Sequence, residues 1–256
     1  MLFPISDDDR KISRICWVTH TLLWANIAVF VYQYNVPEFT YGWSVIPREI
    51  TTGTDLTEPQ IIQSQGQPVA IPQQPGPHLI YLTLLSAMFM HGGFGHIAGN
   101  MLYLWIFGDN VEHRFGSLRF LIFYLVSGVV ASFAQIAVDP NSVIPNLGAS
   151  GAIWGVLGAY VVLYPRNKVN AVVFYHIVSI PAVFVIGLWA ATQLFHGYGA
   201  IVSTSAQTGG VAYLAHIGGL IVGVVMGYIV RRAIPEEPDS LLYRNYRNDP
   251  RVKRYW

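Results

Sequence analysis

Six stretches of the chain contain no Asp, Glu, Lys or Arg: residues 15–34, a stretch within 79–107, 120–138, 148–164, 171 to about 195, and 211–230. An α-helix rises about 1.5 Å per residue, so some 20 apolar residues cross a hydrocarbon layer of about 30 Å. The fourth stretch, at 17 residues, spans only about 25 Å, which leaves its first turn below the headgroups. Helices of a large soluble core would need amphipathic partners, and the sequence offers almost none. The pattern predicts an all-α polytopic membrane protein, a bundle of six transmembrane helices.

The basic residues orient this bundle. Arg10, Lys11 and Arg14 precede the first stretch, Arg114 and Arg119 lie between the second and third, and Arg166 and Lys168 between the fourth and fifth. Seven more follow the sixth, so fourteen of the fifteen fall on one side and only Arg48 on the other. Cytoplasmic loops carry such an excess, which predicts both termini in the cytoplasm. The expected organisation is an N-terminal cytoplasmic segment 1–14, a six-helix domain 15–230 with a long first outer loop at about 36–78, and a basic cytoplasmic tail 231–256. Asp7, Asp8 and Asp9 ahead of a long apolar run do not look like a cleaved signal peptide or a transit peptide, so the first run is expected to be retained. A bacterial-type plasma membrane is the expected location. Residues 50–77, rich in Pro, Gln and Thr, read as an irregular surface excursion, and the basic tail suits anionic headgroups.

Composition agrees with this picture. The chain is 53% hydrophobic and 11% charged, with a mean hydropathy of +0.41, whereas soluble domains average about 25% charged residues. One cysteine excludes a disulfide scaffold, and a net charge of +1 provides no field for nucleic acid.

Polar groups inside apolar runs are functional candidates. Gly148-Ala149-Ser150-Gly151 opens the fourth run, placing Ser150 on a first helical turn, where unpaired N–H groups favour developing negative charge. Taken alone, such a serine is more simply a helix cap. His216 opens the sixth run, which carries Gly219, Gly223 and Gly227, while the fourth carries Gly151, Gly155 and Gly158. Small residues at this spacing let helix backbones approach closely. If the two stripes meet, the imidazole falls beside the Ser150 hydroxyl, which is the minimal activated-nucleophile pair. With no Asp or Glu in any run, the expected site is a Ser–His dyad. All of these residues fall at the outer ends of their runs, so the site should open to the extracytoplasmic side.

In the second run, His96 and Asn100 share a helix face, and His91 precedes the regular helix. The two histidines are five apart and have no accompanying carboxylate, a poor fit to a zinc site. A His N–H and an Asn amide suit an oxyanion instead. Neither a metal nor a cofactor is expected. Glu112-His113-Arg114-Phe115-Gly116 lies on the opposite side and reads as a structural ion pair and turn.

With Gly148-Ala149-Ser150-Gly151, His91-x4-His96-x3-Asn100, Ala215-His216-Ile217-Gly218-Gly219 and Glu112-x-Arg114-x-Gly116 in this order, the chain resembles the rhomboid intramembrane serine proteases over residues 15–230. The resemblance implies that Ser150 is the nucleophile and His216 the general base. It also implies that His91, Asn100 and the Ser150 N–H stabilise the oxyanion, with His96 and Gly148 lining the site. The implied substrates are single-span membrane proteins cleaved in or near the bilayer through an acyl-enzyme. They would enter near the fifth helix, and that helix with the loop at about 197–210 would act as gate and cap. The alternative is a non-catalytic relative that binds membrane clients. Beyond substrates and lipid no partner is implied, and the oligomeric state is left open. The sequence departs from the family in two places. Trp154 stands where many members have Tyr or Phe against the base ring, and Trp43 is followed by Ser44 rather than Arg.

Overall fold

The computed structural model describes residues 3–64, 66–202 and 212–235. In chain order the elements are β1 (Phe3–Ser6), α1 (Trp17–Asn35), α2 (Pro37–Trp43), α3 (Pro47–Thr52), β2 (Gln60–Ser64), β3 (Gln67–Ile71), α4 (Thr83–Ser86), α5 (Phe94–Phe115), α6 (Ser117–Ile136), α7 (Ser150–Leu163), β4 (Lys168–Val173), β5 (His176–Pro181), α8 (Ala182–Val202) and α9 (Tyr213–Ala233). Most of the chain is helical. Among the described residues, α6 and α9 are long and apolar enough to cross a membrane, and α7 and the start of α8 are shorter apolar helices.

At the centre lies α7, every residue from Gly151 to Tyr160 buried. It is flanked by α6 and α9, with α5 alongside. The closeness of this packing follows from the glycines. A Cβ on Gly219 would overlap the carbonyl oxygen of Gly151, and one on Gly223 that of Gly155. On the other face of α7, a Cβ on Gly151 would meet Ala131 Cβ at 2.5 Å. Main chains in contact on both sides fix α7 along its length.

The apolar run 79–107 is not one helix. Short helical turns occupy residues 80–89, the chain extends at Met90, and regular helix resumes at Phe94. This break frees His91 from the helix, as its position among glycines suggests.

Three expectations are corrected here. The fold is not all-α: residues 171–181, expected within the fifth helix, belong to the β4–β5 hairpin, and the helix starts at Ala182. With β1 they form a three-stranded antiparallel sheet in the order β1-β4-β5, so part of the N-terminal segment is structured too. The Val- and Ile-rich hairpin sequence favours strand, but a short apolar run cannot be told from buried helix by period. Within residues 50–77, expected to be irregular, β2 and β3 pair in register from Gln60↔Ile71 to Ser64↔Gln67.

Glu112 and Arg114 do not serve as an ion pair. The Glu112 carboxylate accepts from the N–H groups of Val18 (3.1 Å) and Thr19 (2.6 Å) and from the Thr19 and Ser117 hydroxyls. It thereby caps α1 from the end of α5, satisfying donors that a helix start leaves open. Arg114 donates to the carbonyls of Ile234 and Pro235, holding the exit of α9. Of the predicted gate, residues 197–202 lie in α8, and 203–210 lie outside the described residues, as do residues 236–256 of the tail.

Candidate active site

Ser150 is the first residue of α7. The cap position is Ala149, with no side-chain cap bond, so the Ser150 hydroxyl is not spent on capping. It lies 2.8 Å from His216 Nε2. The glycine seam explains the distance, because Gly219, one turn after His216, seats α9 against Gly151, the residue after Ser150. The indole of Trp154 stacks on the His216 ring, with centroids 5.6 Å apart and planes at 25°. A flat apolar face against the imidazole limits its rotation.

The approach to Ser150 is pinned from two sides. Val45 and Asn146 exchange backbone hydrogen bonds of 3.0 and 2.8 Å, and the Gly148 N–H donates to the Ala87 carbonyl at 2.8 Å. Gly148 has φ +135°, and a Cβ there would meet His96 Cε1 and Nε2 at 3.0 Å. Glycine thus lets the main chain adopt this turn and lets the His96 ring lie against it.

Of the two histidines in the second run, His96 faces the Ser150 turn. Its Nδ1 accepts from the Gly92 N–H at 3.3 Å. His91, 3% exposed, sits behind, edge-to-face with His96 at 5.1 Å and with Phe30 at 6.5 Å. Its main-chain N–H donates to Gln33 Oε1 at 2.9 Å. Asn100 lies one turn beyond His96, is 8% exposed, and has an Nδ2 with no hydrogen-bond partner among the described residues. A buried amide donor without an acceptor is costly unless something else receives its bond.

A cavity opens beside Ser150, walled by Met88, Gly128, Ser132, Gln135, Leu147 and Ala215. Trp154 is not in its wall, so the indole shapes the base side of the site and leaves this cavity to smaller residues. Sequence reasoning passed over Gln33, Ser132 and Gln135. Gln135, an amide inside the third apolar run whose Oε1 is buried with no hydrogen-bond partner among the described residues, was detectable by the same criterion that singled out Asn100.

Comparison with known proteins identifies the family. Residues 80–233 match the Rhomboid domain. The chain is 34% identical over 201 residues to Rhomboid protease GluP of Bacillus subtilis (strain 168), covering 75% of this chain and 35% of that protein. It is 30% identical over 164 residues to Rhomboid protein 1, mitochondrial, of Saccharomyces cerevisiae (strain ATCC 204508 / S288c), covering 61% and 44%. The chain therefore spans less than half the length of either relative. The family match covers more than half of this chain and contains the Ser150 turn, His216 and the His91–Asn100 segment: the chain belongs to the rhomboid family.

Proposed function

We propose that this chain is an intramembrane serine endopeptidase that cleaves single-span membrane proteins by a Ser150–His216 dyad. The observation that carries the reading is the 2.8 Å approach of Ser150 Oγ to His216 Nε2 at a glycine-tight helix seam beside a cavity. The membrane crossings are α1, the segment ending in α5, and α6, α7, α8 and α9, with the site opening away from the side that carries the basic residues.

In the first stage His216 takes the Ser150 proton as Oγ attacks the scissile carbonyl carbon, and the carbonyl oxygen becomes an oxyanion. The donors around it are the Ser150 N–H, the Asn100 amide and His96. His96, not His91, is the histidine proposed here, because it is the ring against Gly148, and His91 supports it from behind. His216 then protonates the leaving amine and the peptide C–N bond breaks, leaving an ester on Ser150. Water, deprotonated by His216, hydrolyses that ester and returns the proton to Ser150. The unpartnered Asn100 Nδ2 suits this mechanism, since a donor held ready for charge that develops only in the transition state needs no reorganisation. The cavity walled by Gly128 and Ala215 would receive a small side chain next to the scissile bond.

The test is cleavage of a single-span substrate in liposomes by wild type, Ser150→Ala and His216→Ala, with fluorophosphonate labelling in parallel. Each variant should lose at least about 1,000-fold in rate, as removal of either member of a nucleophile–base pair does, and Ser150→Ala should not label. Cleavage by Ser150→Ala at the wild-type rate would refute the mechanism.

A further inference from the structure

The β4–β5 hairpin reverses in two residues, Phe174 and Tyr175, between the paired Val173 and His176. Both have positive φ, 44° and 71°. Two-residue hairpin turns need this handedness and normally fill it with Asn-Gly, because a bulky side chain there is strained. Here two aromatic residues occupy it, and neither side chain is used for packing: Phe174 is 78% and Tyr175 99% exposed. The fold thus tolerates a backbone cost to hold two aromatic rings outward.

The outer face of the sheet is graded behind this tip. Residues opposite one another in antiparallel strands share a face, so Phe3, Val172 and Ile177 form one row across the three strands. Ile177 is 68% exposed. The next row is polar and internally bonded: Asn170 Nδ2 donates to Ser6 Oγ at 2.9 Å, and Ser179 Oγ donates to Asn170 Oδ1 at 2.5 Å. Arg166 and Lys168 follow at the base. Along the strands this face therefore runs from an aromatic tip through an apolar row and a polar row to a cationic base over one hairpin length. Beyond the base of the hairpin apolar exposure resumes, where α8 begins with Val183, Phe184 and Leu188 exposed.

We propose that this hairpin is a membrane-interface anchor, its Phe174–Tyr175 tip and Ile177 seated among the headgroups of the leaflet on the side of Arg166 and Lys168. Aromatic rings prefer that layer, and two cations beside it favour an anionic leaflet. The exposed apolar side chains at the start of α8, which the membrane reading seats in lipid, lie at the base of the same hairpin and select lipid over another protein as the occupant. The inference rests on the membrane reading proposed above, and it gives the first helical turn of α8 a fixed depth.

The experiment places single spin labels at Tyr175→Cys, Phe184→Cys and Glu58→Cys in liposomes containing phosphatidylglycerol. Wild type is the blank, since its one cysteine, Cys16, is buried. The label at 175 should favour oxygen over a water-soluble nickel chelate several-fold relative to 58, and approach the label at 184. In a Phe174→Asn/Tyr175→Gly background, which suits the turn and should fold at least as well, a label at Ile177→Cys should lose that preference. If position 175 is as open to nickel as 58 while 184 faces lipid, the anchor is refuted and the membrane reading stands. If 184 is open to nickel as well, the membrane reading falls with it. Dipolar broadening between labels at 175 in dilute proteoliposomes would show that a second copy covers the tip, and would overturn the proposal in favour of a dimer contact.

Discussion

The seam between α7 and α9 and the body of α8 are built to opposite ends. Along the seam, backbones touch at Gly151–Gly219 and Gly155–Gly223, with no room for a methyl group. Among the described residues of α8, full burial is confined to the start: Ala182, Val185 and Ile186 are buried, Trp189 and Ala190 are half-buried, and Gly187, Leu188 and Leu194 are exposed. A nucleophile and its base must hold position to a fraction of an ångström, since a displacement of about 1 Å can cost a hundredfold in rate. Main-chain contact provides that precision, because nothing in it can change rotamer. A helix beside the site that packs through the side chains of its first half, Trp189 against Tyr103 among them, has less to lose by moving. The molecule separates the two requirements between adjacent helices.

The largest expected effect comes from breaking the seam. Gly219→Leu places side-chain atoms where Gly151 O already stands, and the helices must part. Overpacking usually costs about 1–3 kcal/mol, and here the opposing atoms are backbone, so the upper end or more is expected. Because His216 rides on the same turn, cleavage should fall at least about a hundredfold. Thermal unfolding and substrate cleavage measured on the same preparation decide this. A variant with wild-type Tm and rate would mean that the seam is looser than it looks and that something else seats the imidazole.

Much of this seam was legible in the sequence because it rests on period alone. Glycines four apart in two apolar runs, each with a polar residue at its outer end, determine which faces meet and so bring Ser150 to His216. The runs behind α1, α6, α7 and α9 were legible for the same reason. Residues 171–181 were not, because an uncharged stretch of β-branched residues satisfies helix and strand alike, and the deciding partner, β1, lies more than 160 residues away. Glu112 was misread because its partners are main-chain N–H groups of a distant helix start, which no spacing reveals. The proposal of His96 in place of His91 rests on Gly148: only the coordinates show which ring lies against a residue that has no side chain of its own.

A smaller effect tests how the two regions are joined. Asp7, one residue beyond β1, accepts from Tyr160 of α7 at 2.5 Å and from Asn110 at 3.0 Å, while Asn110 also donates to Asp9 at 2.9 Å. The sheet under α8 is thereby tied to the base of the rigid helix. Burial, and then the charge of Asp9, pushes the Asp7 carboxyl up to about 9. Folded Asp7 therefore keeps its proton at neutral pH, while the unfolded chain has lost it above about pH 4. The native state binds the extra proton throughout that window, so the contribution of Asp7 to stability is full below about pH 4 and declines as pH rises towards 9. Asp7→Asn keeps a donor and cannot ionise. It should raise Tm by a few degrees near pH 8 and leave it unchanged below about pH 4. An equal shift at both pH values would mean that proton linkage is not the cause.

The smallest effect should be found within α8 itself. Ile186, at the start of its second turn, is buried, and Leu188, two residues on, is exposed. Both lose similar volume on replacement by alanine, so any difference between them measures packing rather than chemistry. Ile186→Ala should cost about 2–3 kcal/mol, within the range for buried aliphatic truncations. Leu188→Ala should stay within about 0.5 kcal/mol, as exposed substitutions do, and should leave cleavage at or above the wild-type rate. If instead Leu188→Ala destabilised as much as Ile186→Ala, α8 would be held along its length by contacts of its exposed face. The contrast with the α7–α9 seam would then be one of chemistry, side chains against glycines, and not one of tightness.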